Sequence, residues 1–357
     1  MARVNALSLG AASYQEPGAW TTSVSYRWQY SDRHFVGDEE QVYREKQGSQ
    51  IINDIHTVDL SVAYNISKRF SVRLGVPFQF ASRSQPVFDT RRVGPAPPAG
   101  TPDTRPFLNP NPVPAASKTS NLNGAIIDRF ETTAAGLSDM RVVGSMWLLD
   151  PEKHKDMNVS VGLGVLIPTG EKDVMDVFET YHAPSNTIRA QRQYVDNSIQ
   201  PGSGAWGIIA EISAFKEFTP KLTAFVGATY ISVPEETAGV KSGNPLTSTN
   251  IWSVNDQYLV RGGVGYKVLP EKGLMATLGM RWEGAPSEDI IGSSGGRRRP
   301  GYAVAIEPGL IYAKNGWAVG FSTPVAIYRN RTADFTGNAG DAAFADFLIL
   351  WSVSRTF

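Results

Sequence analysis

The chain has 357 residues, no cysteine, 34 basic and 34 acidic side chains, and about one aromatic residue in ten. Without cysteine there are no disulfides and no thiolate metal sites, and formal neutrality argues against nucleic acid, which calls for a basic surface. No run approaches the roughly 18–20 apolar residues that a membrane-spanning helix needs. The slightly negative hydropathy is nonetheless what a membrane barrel would show, because only alternate residues of its strands face lipid.

The N-terminus, MARVNALSLGAAS, has one early Arg and a weak apolar stretch, poor for a complete signal peptide. It is therefore expected to lie at or near the mature end. Residues 1–18 are read as a periplasmic or lumen segment and 19–357 as a transmembrane β-barrel.

From there the chain alternates with a period of two. Trp20 to Tyr30 places Trp20, Thr22, Val24, Tyr26, Trp28 and Tyr30 on one face, with Ser23, Ser25, Arg27 and Gln29 on the other. Ile55 to Ile66 follows, then a Ser67-Lys68-Arg69 turn into Phe70 to Ala81. Leu137–Leu149 and Met157–Pro168 flank a charged turn, and Trp206–Glu217 and Leu222–Val233 meet around Pro220-Lys221. Tyr258–Val268 and Leu274–Trp282 meet around Pro270 to Gly273, and Tyr302–Tyr312 and Trp317–Tyr328 at Asn315-Gly316, a strong hairpin signal. Phe344 to Phe357 is the last segment.

These twelve segments predict an all-β, antiparallel up-and-down transmembrane barrel, each strand near the roughly 9–11 residues that cross a bilayer obliquely. Tight turns alternate with long loops at about residues 31–54, 82–136, 169–205, 234–257, 283–301 and 329–343. With both termini in the periplasm, every tight turn falls there and every long loop outside, the asymmetry of outer-membrane barrels. A short helix is expected over Glu171 to Tyr181, and extended, helix-free chain through the Pro-rich residues 95–114.

Trp20, Trp28, Tyr30, Trp147, Trp206, Trp282, Trp317, Trp351 and Phe357 fall near strand ends and are read as membrane-interface aromatics. The last strand ends on Phe357 with apolar residues at alternate positions before it, as bacterial outer-membrane proteins do. Arg355 is the departure, on the apolar parity. Parity turns Arg27, Asp59, Arg73, Asp139, Arg141, Glu211, Arg261, Arg281, Glu283 and Glu307 toward the lumen. Their mixed signs fit either ion pairs that stiffen the wall or contacts to a passing solute. Twelve strands lie between barrels that fill with side chains and those that leave an aqueous channel.

Two stretches carry a resemblance: AYNISKRFSVRLGVPF (Ala63–Phe78), and GLSDMRVVGSMWLLD (Gly136–Asp150) followed by VGLGVLIPTG (Val161–Gly170). Together they resemble the outer-membrane transporter-like proteins associated with the meta-cleavage pathway of phenol degradation. The resemblance implies a barrel related in style to the long-chain fatty-acid channels, with uptake of hydrophobic or aromatic compounds.

The expected function is an outer-membrane channel or facilitator for small solutes. The alternatives are a scaffold or anchor using the Pro-rich loop as an interaction arm, and an outer-membrane hydrolase, for which His182 and Ser185 are the nearest Ser–His candidates. No cofactor and no metal site is expected, the acidic loop clusters Asp38-Glu39-Glu40 and Glu171/Asp173/Asp176 reading as solvated charge. Expected partners are outer-membrane lipid and lipopolysaccharide, a small-molecule solute, the barrel-assembly machinery through the C-terminal strand, and a protein at the extracellular loops.

Overall fold

Twelve strands close into a single antiparallel barrel in the computed structural model, which describes residues 14–98, 101, 103–111, 123–243, 248–337 and 340–357. In chain order they are β1 (Trp20–Val36), β2 (Ile52–Asn65), β3 (Phe70–Phe88), β4 (Ile126–Leu137 and Met140–Trp147) and β5 (Met157–Ile167). Then come β6 (Gly207–Thr219), β7 (Leu222–Ser232), β8 (Gln257–Leu269) and β9 (Leu274–Ala285). The last are β10 (Gly301–Lys314), β11 (Trp317–Ser322 and Val325–Asn330) and β12 (Ala342–Thr356). Each strand pairs with its neighbours in sequence, and β12 returns to β1 from Thr21↔Thr356 to Phe35↔Ala342, so no edge is left open.

Two strands that read as continuous are broken, each beside proline. In β4 the break falls at Ser138-Asp139, opposite Pro77 of β3, and the Ser138 N–H reaches the Pro77 carbonyl at 2.7 Å. Pro77 has no N–H to return, so the ladder loses a rung there. In β11 the break is Thr323-Pro324; the Thr323 N–H bonds the carbonyl of Pro308, another strand proline, at 3.1 Å.

The strands run well past the alternating apolar stretch at the long-loop end, β1 to Val36 and β3 to Phe88, because ladder pairing continues there with β12 and β4. The expected helix over Glu171 to Tyr181 is instead Met175–His182, one strand of a loop hairpin with Thr187–Tyr194. The helical spacing of Val174, Val177 and Tyr181 was outcompeted by eight backbone pairs to the following segment, which no local pattern can show. Arg92 and Phe107 bridge across the Pro-rich loop, the guanidinium lying 4.0 Å from the ring centroid; residues 99–100, 102 and 112–122 of that loop lie outside the described ones.

The wall is apolar outside and polar inside. Leu163, Leu278 and Ile327 are each more than half exposed on the outer face, whereas Asn158 and Arg281 on the inner face are 1% exposed. The largest buried apolar cluster sits at the long-loop end, where Leu166, Ile209, Ile231 and Leu259 of the wall meet Val233, Val240 and Val254 of the loops.

Candidate functional site: the loop-covered lumen

The break in β4 is the hinge point from which a loop enters the barrel. Released from the ladder, Asp139 accepts the N–H groups of Gly170 at 3.1 Å and Ser203 at 2.7 Å. Thr169 Oγ1 accepts the Met140 N–H at 3.0 Å and donates to the Ser138 carbonyl at 2.9 Å. Gly170 and Gly202 touch so closely that a Cβ on Gly202 would stand 2.2 Å from the Gly170 carbonyl oxygen. The three short motifs behind the family resemblance, around Pro77, Ser138-Asp139 and Thr169-Gly170, thus converge on one knot.

From this knot residues 195–203 run inside the barrel. Val195 and Ile199 are fully buried, and the Gln79 amide of β3 donates to the carbonyls of Ile199 (2.8 Å) and Gln200 (3.1 Å). Asp196 on this segment pairs with Arg83 of β3 and with Arg299 of the β9–β10 loop. Burial alone would raise its carboxyl, yet Arg299 and Arg83 hold it well below the usual carboxylate range.

A second anchor holds the facing loops. Asp256 accepts from the Tyr230 hydroxyl and the Val233 N–H, both at 2.7 Å, and from the Ile290 N–H at 2.9 Å. Arg298 and Asp289 form a fully buried ion pair beside it. At the β1–β12 seam His34 Nδ1 lies 2.9 Å from Asp341, which also pairs with Arg44.

Under this cover lies a cavity of about 210 Å³, bounded by Gln79, Leu166, Ile231, Trp252, Val254, Arg299 and Arg331 among others. Its floor is a layer of ion pairs across the middle of the barrel. Arg27 of β1 and Glu283 of β9 stand 3.1 Å apart although their strands are not neighbours, so the contact spans the interior. Arg281–Glu283 (2.6 Å), Arg261–Glu307 (3.6 Å), Arg73–Glu211 (2.8 Å) and Arg141–Asp59 (3.8 Å) complete it.

Of the ten side chains that parity turned inward, Arg27, Asp139 and Arg141 reach the cavity and the rest lie in the layer beneath. Sequence reasoning missed the cover: Gln79, Arg83, Asp196, Trp252 and Arg331. The Arg297-Arg298-Arg299 run is a visible basic cluster in the sequence, but nothing local to it shows that Arg299 meets Asp196 of another loop.

Among the aromatics, Trp20, Tyr30, Trp206, Trp282, Trp317, Trp351 and Phe357 are exposed on the outer wall, and Trp28 is half-buried with its Nε1 donating to Asp54 at 2.7 Å. Trp147 is a correction. It lies an even number of residues after Arg141 on an unbroken strand, so it shares the inner face, where its ring meets Phe215 and Tyr14 at 6.0 and 5.2 Å. Tyr14 therefore sits in the mouth at the termini end, its hydroxyl donating to the His154 carbonyl at 2.6 Å; residues 1–13 lie outside the described ones. Arg355 is accommodated: it donates to the Asn315 carbonyl at 2.6 Å and stacks on Trp317 and Phe357.

His182 and Ser185 do meet, Nδ1 to Oγ at 2.7 Å, but on an exposed hairpin tip where the same nitrogen accepts the Ser185 N–H and caps a single 3₁₀ turn. That nitrogen is committed to the turn, and neither residue borders the cavity.

No family profile matches the chain, and no curated protein does. Among solved structures the chain is similar to an outer-membrane channel from Pseudomonas putida F1, at 11% identity and a TM-score of 0.57, covering 98% of this chain and all of that one. A mutant of the monoaromatic hydrocarbon channel TodX matches at 7% identity and a TM-score of 0.49, covering 96% and 92%. At these identities the likeness is one of fold: the chain has the architecture of outer-membrane barrels.

Proposed function

We propose that this protein is an integral outer-membrane channel, with both termini in the periplasm, that passes small hydrophobic or aromatic solutes through a loop-covered lumen. The observation that carries the reading is the cavity of about 210 Å³ inside the barrel, held between the 195–203 segment and the mid-barrel ion layer. An apolar outer wall more than half exposed at several leucines and isoleucines requires lipid around it. A space of this size with Leu166, Ile231, Trp252 and Val254 on its boundary suits one small solute with an apolar part rather than a column of water. The fold shared with the P. putida channel and the resemblance to the phenol-pathway family both favour transport over a scaffold. Lipid and lipopolysaccharide would cover the wall, and β12 with its terminal Phe357 would engage the assembly machinery.

The test is planar-bilayer conductance together with uptake of toluene or phenol by cells expressing the protein. The expected result is low conductance for salt with accelerated entry of the aromatic. Conductance like that of an open porin, or entry no faster than in cells without the protein, would sink the proposal.

A further inference from the structure

The cover of the cavity carries more cation than its carboxylates answer. Arg83 and Arg299 share the single Asp196, at 3.5 and 2.5 Å. Arg297 lies over the Trp252 ring, 5.0 Å from its centroid, and donates to Ser242 Oγ at 2.9 Å. Arg331 is bound through Nη1 to the carbonyls of Arg299 and Pro300, and no carboxylate among the described residues pairs with it. The other acid beside it, Asp341, is committed to His34 and Arg44.

Two buried donors also go unanswered. Arg331 is 7% exposed and Trp252 4% exposed, and neither Arg331 Nε nor Trp252 Nε1 has a partner among the described residues. Buried N–H groups without acceptors are uncommon and destabilising. Both residues border the cavity, and both lack the same thing, an acceptor. Burial and the neighbouring Arg299 push the Arg331 guanidinium down from its ordinary range, a strain that an added negative charge would relieve. Leu166, Ile231 and Val254 of the buried cluster supply apolar surface to a boundary that also carries polar side chains such as Asn53, Ser198 and Asn255. An apolar cavity of roughly 150 Å³ is enough for benzene, so about 210 Å³ leaves room for one ring and a small polar group.

We propose that the cavity is a binding site for a small amphiphilic carboxylate, an aromatic acid of one ring being the best fit. Its carboxylate would take the Arg299 and Arg331 guanidinia and the Trp252 N–H, with the ring against Leu166, Ile231 and Val254. A planar carboxylate matches the fork of a guanidinium, and the ring supplies the apolar burial that an inorganic anion lacks. The proposal rests on the reading of the lumen as a solute pathway and places aromatic acids among its solutes.

Calorimetric titration of the full-length barrel in uncharged detergent tests this, using benzoate, benzyl alcohol and inorganic phosphate as probes. Benzoate is expected to bind at least about tenfold tighter than either of the others. Arg299→Gln should weaken benzoate by about tenfold or more and leave benzyl alcohol unchanged. Trp252→Phe keeps the ring and removes only the N–H, and should weaken benzoate by about threefold to tenfold. Benzyl alcohol or phosphate binding as tightly as benzoate overturns the proposal, as does wild-type benzoate affinity in both variants. Uptake is read separately: aromatic entry without benzoate binding refutes the acid site and leaves the channel standing, whereas benzoate binding without entry refutes the channel and leaves the site.

Discussion

The middle of the lumen and its mouth use the same residue, arginine, in opposite ways. In the middle, Arg27 and Arg281 converge on Glu283, Arg261 has Glu307, Arg73 has Glu211 and Arg141 has Asp59. At the mouth Arg83 and Arg299 share Asp196, Arg297 has no carboxylate in an ion pair among the described residues, and Arg331 has beside it only Asp341, which His34 and Arg44 already hold. Buried charges that are nearly matched form a stiff partition, because moving one leaves its partner stranded at a cost of several kcal/mol. Charges left over at a boundary are instead available to a ligand. The contrast teaches that the inner face is divided by height, a property that parity along a strand does not carry.

The hardest blow to the comparison would be Glu283→Ala. It strips the carboxylate from both Arg27 and Arg281 in a site that is almost wholly buried, and should cost about 3–5 kcal/mol. Denaturant unfolding in lipid vesicles reads the loss, and salt conductance should rise as the partition loosens. Unchanged stability would mean the mid-barrel layer is not a partition.

Asp196→Ala attacks the mouth, where the partners are wetter, and should cost about 1.5–3 kcal/mol, confined to the cover. Limited proteolysis should then cut within residues 195–203 while the barrel stays folded. Continued protection of that segment would show that the Gln79 and Asp139 bonds hold it without the ion pairs.

Acid sharpens the same point without mutation. The Asp196 and Asp341 carboxyls lie below their ordinary values in the folded chain. Their stabilisation is therefore complete above the unfolded carboxylate value of about 4 and is lost as pH falls below it. Protection of residues 195–203 should be flat from about pH 8 to pH 5 and fall only below about pH 4. A transition near neutrality would contradict this.

The smallest effect belongs to Arg355→Leu, outside both regions. It loses one exposed carbonyl bond and two ring contacts, and should change stability by less than about 1 kcal/mol. A larger loss would mean that the strand-end cation holds the β11–β12 hairpin together.

The barrel was legible because a period of two is written residue by residue. Trp20 to Tyr30 against Ser23 to Gln29 states which face meets lipid, and the Asn315-Gly316 turn states where the chain reverses. The strand breaks beside Pro77 and Pro324 were visible as prolines but not as breaks, since their effect depends on which carbonyl and N–H stand opposite. Trp147 followed the same rule of two and was misplaced only where its aromatic character was weighed above its parity with Arg141.

The covered lumen was not legible. Asp139 read as one of the inward charges, fit for a wall ion pair or for a passing solute, and only its two backbone donors, from Gly170 and Ser203, show it fastening a loop. The expected helix near Val177 became a hairpin because its partner, Thr187–Tyr194, was supplied by the turn that follows. Alternation, tight turns and terminal aromatics are local, and one sequence determines them by itself. Which arginine finds a carboxylate, and which is left to face a cavity, depends on loops that lie a hundred or more residues from the strands they meet, as Arg83, Asp196 and Arg299 do. Closure of the barrel brings them together, and the tertiary structure alone decides that pairing.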